Sequence, residues 1–64
     1  MTFMNQVYYC IRSNKETDDN GDLLYWNNQY GWVNQSEVEL FSEEERHTFS
    51  LPNNSNWEMY ENGF

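Results

Sequence analysis

Apolar and aromatic side chains dominate residues 3–12, a segment that contains neither glycine nor proline. Segments of this composition are typical of β-strands. With a period of two residues, one face of the strand carries Phe3, Val7, Tyr9 and Ile11. The opposite face also carries apolar side chains. We therefore expect this strand to lie in the centre of a sheet or between two subunits.

Residues 13–22 are polar and show no periodicity. Asn20-Gly21 within them is a strong turn signal, because both residue types tolerate a positive φ. We expect a hairpin loop over residues 13–22, followed by a second strand at residues 23–26.

The central part of the chain repeats this order of turn and strand with shorter segments. Residues 27–31 predict a second turn, and Trp32-Val33 begins a third short strand. Residues 38–41 form either a fourth strand or the end of the third. Near the carboxyl end, residues 57–60 alternate like a closing strand after an asparagine-rich turn.

The clearest local signal is a helix start at Ser42. A serine followed three residues later by a glutamate, here Glu45, is a capping box that satisfies backbone donors at the first turn. Glutamates in this turn also favour the positive end of the helix dipole. Because Pro52 disfavours helical geometry at the residue before it, we expect a helix of about two turns near residues 43–50.

The predicted fold class is α+β, with a small antiparallel sheet of three to five strands and one short helix in the order β-β-β(-β)-α-β. We expect residues 1–64 to form a single small domain with no linker and no internal repeat, with residues 61–64 frayed. A chain of this length buries only a small core, so its stability margin is thin. Cys10 is the only cysteine, and we expect it to be a small buried hydrophobe.

Charge narrows the classes of partner. The chain has 11 acidic against 3 basic side chains, a net charge of −8, and 19% aromatic residues. Such a balance argues against direct binding to nucleic acid or to anionic lipid, since both reward lysine and arginine. We see no signal peptide and no span long enough for a membrane, and the unpaired cysteine favours a reducing compartment. We expect a cytoplasmic protein with a basic partner.

A set of folding signals carries a resemblance. The set consists of Tyr25-Trp26-Asn27-Asn28, Gly31-Trp32-Val33, Val38 to Glu45, Leu51-Pro52 and Trp57. In these signals the chain resembles a loose group of small, mostly uncharacterised bacterial and phage proteins with a hairpin, a Gly-Trp turn, a Phe-Ser-x-x-Glu helix start and a terminal Trp strand. The resemblance covers residues 5–60 and implies the architecture but no particular activity. Many phage products of this kind inhibit host machinery.

Catalytic and metal chemistry find little support. Residues 16–21 superficially resemble a calcium loop, but strands are expected on both sides where an EF-hand has helices, and a solvated acidic hairpin loop is the simpler interpretation. Nothing in the spacing predicts a nucleophilic pair between Cys10 and His47. The glutamates at 43–45 lie at an exposed helix start, with no apolar pocket to raise a pKa. We expect no enzyme activity, no cofactor and no metal.

The aromatic residues are too numerous for one small core, so some rings should stay half exposed, either at an interface or at the core boundary. The acidic residues form either a solvated face or a carboxylate array that stands in for phosphates. We expect two sets of partner-binding residues. They are the anchors Trp26, Tyr30 and Trp32 and the acids Asp18, Asp19, Asp22, Glu43, Glu44 and Glu45.

Two functions follow from these features. The first is a non-enzymatic acidic binding protein that docks on a basic surface of a larger protein, such as a nucleic-acid-binding enzyme. It would act as a phage-type inhibitor or nucleic-acid mimic, in the manner of an anti-CRISPR protein. The second is an accessory or assembly module, homodimeric or not, whose acidity only serves solubility.

Overall fold

A computed structural model describes residues 7–60 of the chain. The elements, in chain order, are β1 (Tyr8–Thr17), β2 (Leu23–Asn27), β3 (Gly31–Val33), a 3-10 turn (Gln35–Glu37), α1 (Glu43–Thr48) and β4 (Ser55–Tyr60). The strands form one antiparallel sheet in the order β3-β2-β1-β4. This is the α+β fold that the sequence predicts. The expectation for residues 61–64 concerns residues outside the described part of the chain.

The first strand is central, which is one of the two positions that its two apolar faces predict. β1 pairs with β2 through Arg12 and Tyr25, and with β4 in a continuous register from Tyr8–Tyr60 to Ser13–Ser55. Cys10 and Ile11 project to opposite faces of β1, and both are completely buried. The sheet is therefore covered on both sides at this point.

The bounds of β1 differ from the prediction of residues 3–12. Residues 3–6 lie outside the described part, Val7 precedes the strand, and the strand continues to Thr17 through residues predicted as loop. The pairing of Thr17 with Leu23 extends the strand, and Ser13 lies at the irregularity that precedes it. Its buried hydroxyl accepts hydrogen bonds from the backbone N–H groups of Lys15 (3.0 Å) and Glu16 (2.7 Å), at a register irregularity in the β1–β2 ladder.

The connection from β1 to β2 is shorter than predicted but turns where expected. The Asp18 carboxylate accepts hydrogen bonds from the backbone N–H groups of Asn20 (2.8 Å) and Asp22 (3.0 Å). Gly21 adopts a φ of +89°, which glycine tolerates without a steric penalty. The turn signal at Asn20-Gly21 is thus confirmed within residues 18–22.

Residues 34–41 do not form the fourth strand. Gln35–Glu37 make a 3-10 turn that contacts β2, and the chain then reaches β1 again at Phe41. There Phe41 forms an isolated bridge to Tyr9. Of residues 38–41, only Phe41 pairs with β1, because β2 already pairs with the neighbouring part of that strand.

The helix begins as predicted and ends two residues earlier. The Ser42 hydroxyl accepts a hydrogen bond from the N–H of Glu45 (3.1 Å), and the Glu45 carboxylate accepts one from the N–H of Ser42 (2.8 Å). Phe49 leaves helical geometry, with a φ of −87° and a ψ of 135°, three residues before Pro52. No helix within residues 7–60 is long and apolar enough to cross a membrane.

The core is small and includes a cluster of three aromatic rings. Three rings pack together, with centroid distances of 5.0 Å between Phe41 and Phe49, 5.3 Å between Phe41 and Trp57, and 6.2 Å between Phe49 and Trp57. The register places Trp57 opposite Ile11 on the same face. The buried apolar residues of the described chain are Cys10, Ile11, Tyr25, Val33 and Phe41.

Candidate functional site

The β2–β3 hairpin brings two of the predicted anchors together. Trp26 and Trp32 are cross-strand partners, and their rings meet edge to face with centroids 5.1 Å apart and an interplanar angle of 75°. Both side chains are only half buried, and the indole N–H of Trp26 donates to the Asn28 side chain at 2.9 Å. Cross-strand aromatic pairs of this kind stabilise a hairpin.

The third anchor, Tyr30, lies in the turn between these two strands. Its side chain is 67% exposed, the largest exposure among the large apolar residues of the described chain. The Asn27 side chain fixes the turn by accepting hydrogen bonds from the N–H groups of Gln29 (2.8 Å) and Tyr30 (3.1 Å). Gly31 follows with a φ of +84°. We call Trp26, Tyr30 and Trp32 the aromatic hairpin.

Polar contacts attach the turn of the aromatic hairpin to the segment before α1. The Asn27 amide donates to the backbone carbonyl of Glu37 at 2.9 Å. The Glu39 carboxylate accepts from the backbone N–H of Asn28 at 2.7 Å and from its side-chain amide at 3.3 Å. Sequence reasoning missed Glu39, because nothing local indicates that residue 39 folds back onto residue 28.

The acids of the β1–β2 loop have unequal roles. The Asp18 carboxylate is engaged by the turn described above. The Asp19 side chain is exposed and makes no hydrogen bond or ion pair within residues 7–60. Asp22 lines a cleft that also includes Asp18. The Asp22 carboxylate likewise makes no hydrogen bond or ion pair within residues 7–60, so of the three predicted acids here only Asp18 is engaged.

The acids of α1 are divided in the same way. Glu43 forms an ion pair with Arg46 at 2.9 Å and lies 3.0 Å from Nε2 of His47, and Glu45 belongs to the capping box. The Glu44 side chain is exposed and has no bonded partner in the part of the chain that the structure describes. Of the three carboxylates predicted to contact a partner, Glu44 is thus free in the described chain, and Glu43 and Glu45 also have structural roles.

A charged cluster fastens α1 to the sheet. The Arg46 guanidinium lies 4.5 Å from the centroid of the Tyr9 ring. Hydrogen bonding to the Glu43 carboxylate is the main cause that raises the pKa of Tyr9, and the same bond is the main cause that lowers the pKa of Glu43. Arg46 adds a second hydrogen bond that lowers the pKa of Glu43 further. These shifts belong to a structural contact between helix and strand.

The two acidic sets lie at opposite ends of the molecule. The loop at residues 18–22 follows Thr17, whereas α1 follows Phe41, which pairs with Tyr9 near the other end of β1. The stretch from Tyr9 to Thr17 corresponds to about 27 Å of extended strand. Because β2 runs antiparallel to β1 and ends at Asn27, the aromatic hairpin turns at the α1 end of the sheet.

A polar cleft of about 480 Å³ lies between the start of β2 and the 3-10 turn. Arg12 lines it together with Tyr25, Asp18 and Asp22. The Arg12 guanidinium lies 5.1 Å from the centroid of the Tyr25 ring and 3.8 Å from the Glu58 carboxylate, while its buried Nε has no hydrogen-bond partner. The cleft therefore mixes both signs of charge, which sequence reasoning did not foresee.

The two residues considered for nucleophilic chemistry lie in different environments, one buried and one exposed. Cys10 is fully buried, and burial, assisted by the Glu58 charge, raises the pKa of its thiol to about 11. His47 lies on the exposed side of α1, with Nε2 3.0 Å from Glu43. Within residues 7–60, no group of three or more His, Cys, Asp or Glu side chains is arranged to hold a metal ion.

Comparisons of this chain with models of protein families, with curated proteins and with solved structures find no match.

Proposed function

We propose that this chain is a non-enzymatic acidic binding protein that docks on a basic surface of a larger protein and blocks it. A nucleic-acid-binding enzyme is the class of partner that such a surface suits, because its own substrate is polyanionic. The observation that carries the proposal is the aromatic hairpin. It places Tyr30, 67% exposed, in the turn that joins the two strands of the half-buried Trp26–Trp32 pair, in a chain of net charge −8.

The hairpin supplies affinity. Tyrosine and tryptophan are the residues most enriched among interface hot spots, since each offers a large apolar area and a polar tip. Here the turn is already held by Asn27 and by the contact between Asn28 and Glu39. A preordered anchor loses little conformational entropy on binding, so more of the contact energy appears as affinity.

The acidic side chains attract the basic partner and guide its approach. A net charge of −8 attracts a basic partner at long range and raises the association rate, an effect that salt screens. Among the predicted acids, Asp22, Asp19 and Glu44 have carboxylates with no hydrogen bond or ion pair in the described chain, and of these only Asp19 and Glu44 lie outside the polar cleft. Neutralising Asp19 and Glu44 tests the electrostatic attraction without disturbing the turn at Asp18 or the start of α1.

Capture from a nuclease-treated bacterial lysate tests the proposal. The wild-type chain should retain a basic protein at 50 mM salt and release it at 500 mM. Tyr30→Ser should abolish retention, and Asp19→Asn with Glu44→Gln should reduce it. Leu51→Ser, which removes an exposed apolar side chain outside the hairpin, is the matched control and should leave retention unchanged.

The captured protein must then lose its own nucleic-acid binding when the wild-type chain is added. Retention that survives Tyr30→Ser and does not change with salt contradicts the proposal. Retention without loss of the partner's nucleic-acid binding contradicts the blocking role.

A further inference from the structure

The two edges of the sheet differ in how they are protected. An exposed edge strand offers unpaired backbone groups to another chain, and proteins usually shorten or charge such edges. β3 is only three residues long, so it exposes few unpaired backbone groups. β4 is six residues long and contains neither lysine nor proline. Its single charged residue, Glu58, faces Arg12 of the neighbouring strand at 3.8 Å.

The hydrogen-bond pattern identifies which groups of β4 point outward. Tyr9 exchanges its backbone bonds with Phe41, on the side of β1 away from β4. The Tyr9–Met59 pair is therefore one without mutual hydrogen bonds. The N–H and C=O groups of Met59, and those of Trp57 two residues earlier, consequently point to the outer edge. No described residue pairs with them there.

The side chains of this edge have a defined order. Met59 is 55% exposed and Trp57 half buried, and both lie on the Tyr9 face of the sheet. Glu58 lies between them on the opposite face. An incoming strand would therefore meet an apolar side chain, a carboxylate and a second apolar side chain in alternation.

We propose that β4 is a docking edge for an extended segment of the basic partner, which adds to the sheet as a fifth strand. The segment carries lysine or arginine opposite Glu58 and apolar side chains opposite Trp57 and Met59. This inference rests on the proposed function, because the sign of the partner's charge is taken from it. Strand addition supplies affinity through the main chain and specificity through alternate side chains.

Charge disfavours a second copy of the chain as the occupant. Each copy carries a net charge of −8, so their approach is repulsive. In the antiparallel register that pairs Trp57 of one copy with Met59 of the other, the two Glu58 carboxylates lie directly opposite each other. Like charges at such a position destabilise a strand pair, whereas a lysine there stabilises it.

A synthetic peptide, acetyl-Lys-Val-Lys-Val-Lys-Val-Lys-amide, tests the edge directly. On titration into the full chain, it should shift the Trp57 and Met59 amide signals in NMR spectra and slow their hydrogen exchange at least tenfold. The same peptide with glutamate in place of lysine should do neither. Met59→Pro should weaken binding at least tenfold, because it removes an outward N–H while leaving the bonds to β1 in place.

Met59→Thr is the matched control for the backbone effect, since it alters the same side chain but retains the N–H. The dispersed amide signals of Cys10 and Ile11 report whether each variant is folded. If Met59→Pro does not fold, the exchange rates of the wild-type Trp57 and Met59 amides decide the matter alone.

Three outcomes overturn the inference. The first is a peptide that shifts only the amides of residues 18–22, and the second is edge protection that rises with protein concentration in the absence of peptide. The third is lysate capture that depends on Tyr30 and salt but survives Met59→Pro. In that third case the proposed function stands and only the docking edge fails, whereas absence of capture under any condition refutes the proposed function itself.

Discussion

Phe41 and Tyr9 exchange two backbone hydrogen bonds, with N···O distances of 2.8 Å from the Tyr9 N–H and 2.7 Å from the Phe41 N–H. Through this contact the segment before α1 takes the place beside β1 that lies beyond the end of β2. The bridge also directs the Phe41 ring towards Phe49 and Trp57. One residue thus joins the sheet, the helix and the aromatic core.

We expect Phe41→Ala to destabilise the domain strongly. The side chain is 3% exposed, and removing a buried phenylalanine typically costs about 3–5 kcal/mol. A chain of this length has a total stability of about 3–10 kcal/mol, so the loss is a large part of the whole. Urea unfolding followed by tryptophan fluorescence measures it. Leu51→Ala, at a 38% exposed site, should change the free energy of unfolding by less than about 0.5 kcal/mol.

Ser42→Ala should cost about 0.5–2 kcal/mol of unfolding free energy, because the N–H of Glu45 loses its acceptor at the helix start. Ser50→Ala is the control, since Ser50 is exposed and forms no hydrogen bond within the described chain. Equal unfolding free energies for the two variants would show that the capping box contributes nothing to stability.

The capping box and the Asn20-Gly21 turn could be predicted because each is complete within a few residues. The central position of β1 could be predicted only as one of two alternatives, because two partly apolar faces also suit a strand between subunits. The bridge from Phe41 to Tyr9 and the contact between Glu39 and Asn28 could not, since each joins residues that are distant in sequence. In the candidate site, sequence composition identified Tyr30, but only the fold separates the free Glu44 from the engaged Glu43 and Glu45.

The Cys10 thiol should be unreactive in the folded protein. Its pKa of about 11 leaves it protonated at pH 8, and its side chain is fully buried. A chromogenic disulfide reagent at pH 8 should therefore react only as fast as the chain opens, and sub-denaturing urea should accelerate the reaction. Modification without urea at the rate of the fully unfolded chain would contradict this environment.

Stability should fall in acid through Glu43. Hydrogen bonds from Tyr9 and Arg46 lower its pKa below the ordinary value of 4.5. Near that pH the unfolded chain therefore binds more protons than the folded one, and stability rises with pH. The contribution is present above about pH 4.5 and is lost as the pH falls through the lower folded pKa. Glu43→Gln should flatten the dependence of unfolding free energy on pH between 3 and 5, whereas Glu44→Gln should retain it.

Glu39→Gln should loosen the turn of the aromatic hairpin without changing its three aromatic side chains. The change weakens the acceptor for the Asn28 N–H but leaves all three rings in place, and a hydrogen bond to a charged group contributes about 1.5–3 kcal/mol at most. Amide exchange at Asn28 should therefore accelerate at least threefold. Lysate capture should weaken through faster dissociation, since a looser anchor must be ordered on binding.

Glu37→Gln is the control for the same charge change. The contact of Glu37 with the hairpin uses its backbone carbonyl, which the substitution leaves intact, so Asn28 exchange should stay at the wild-type rate. Both variants lower the net negative charge by one, so steering should decrease equally in the two. If Glu39→Gln dissociates from the partner faster than Glu37→Gln, the difference measures the contribution of the ordered turn to binding. Equal dissociation rates would show that the Asn28–Glu39 contact does not prepare the hairpin for binding.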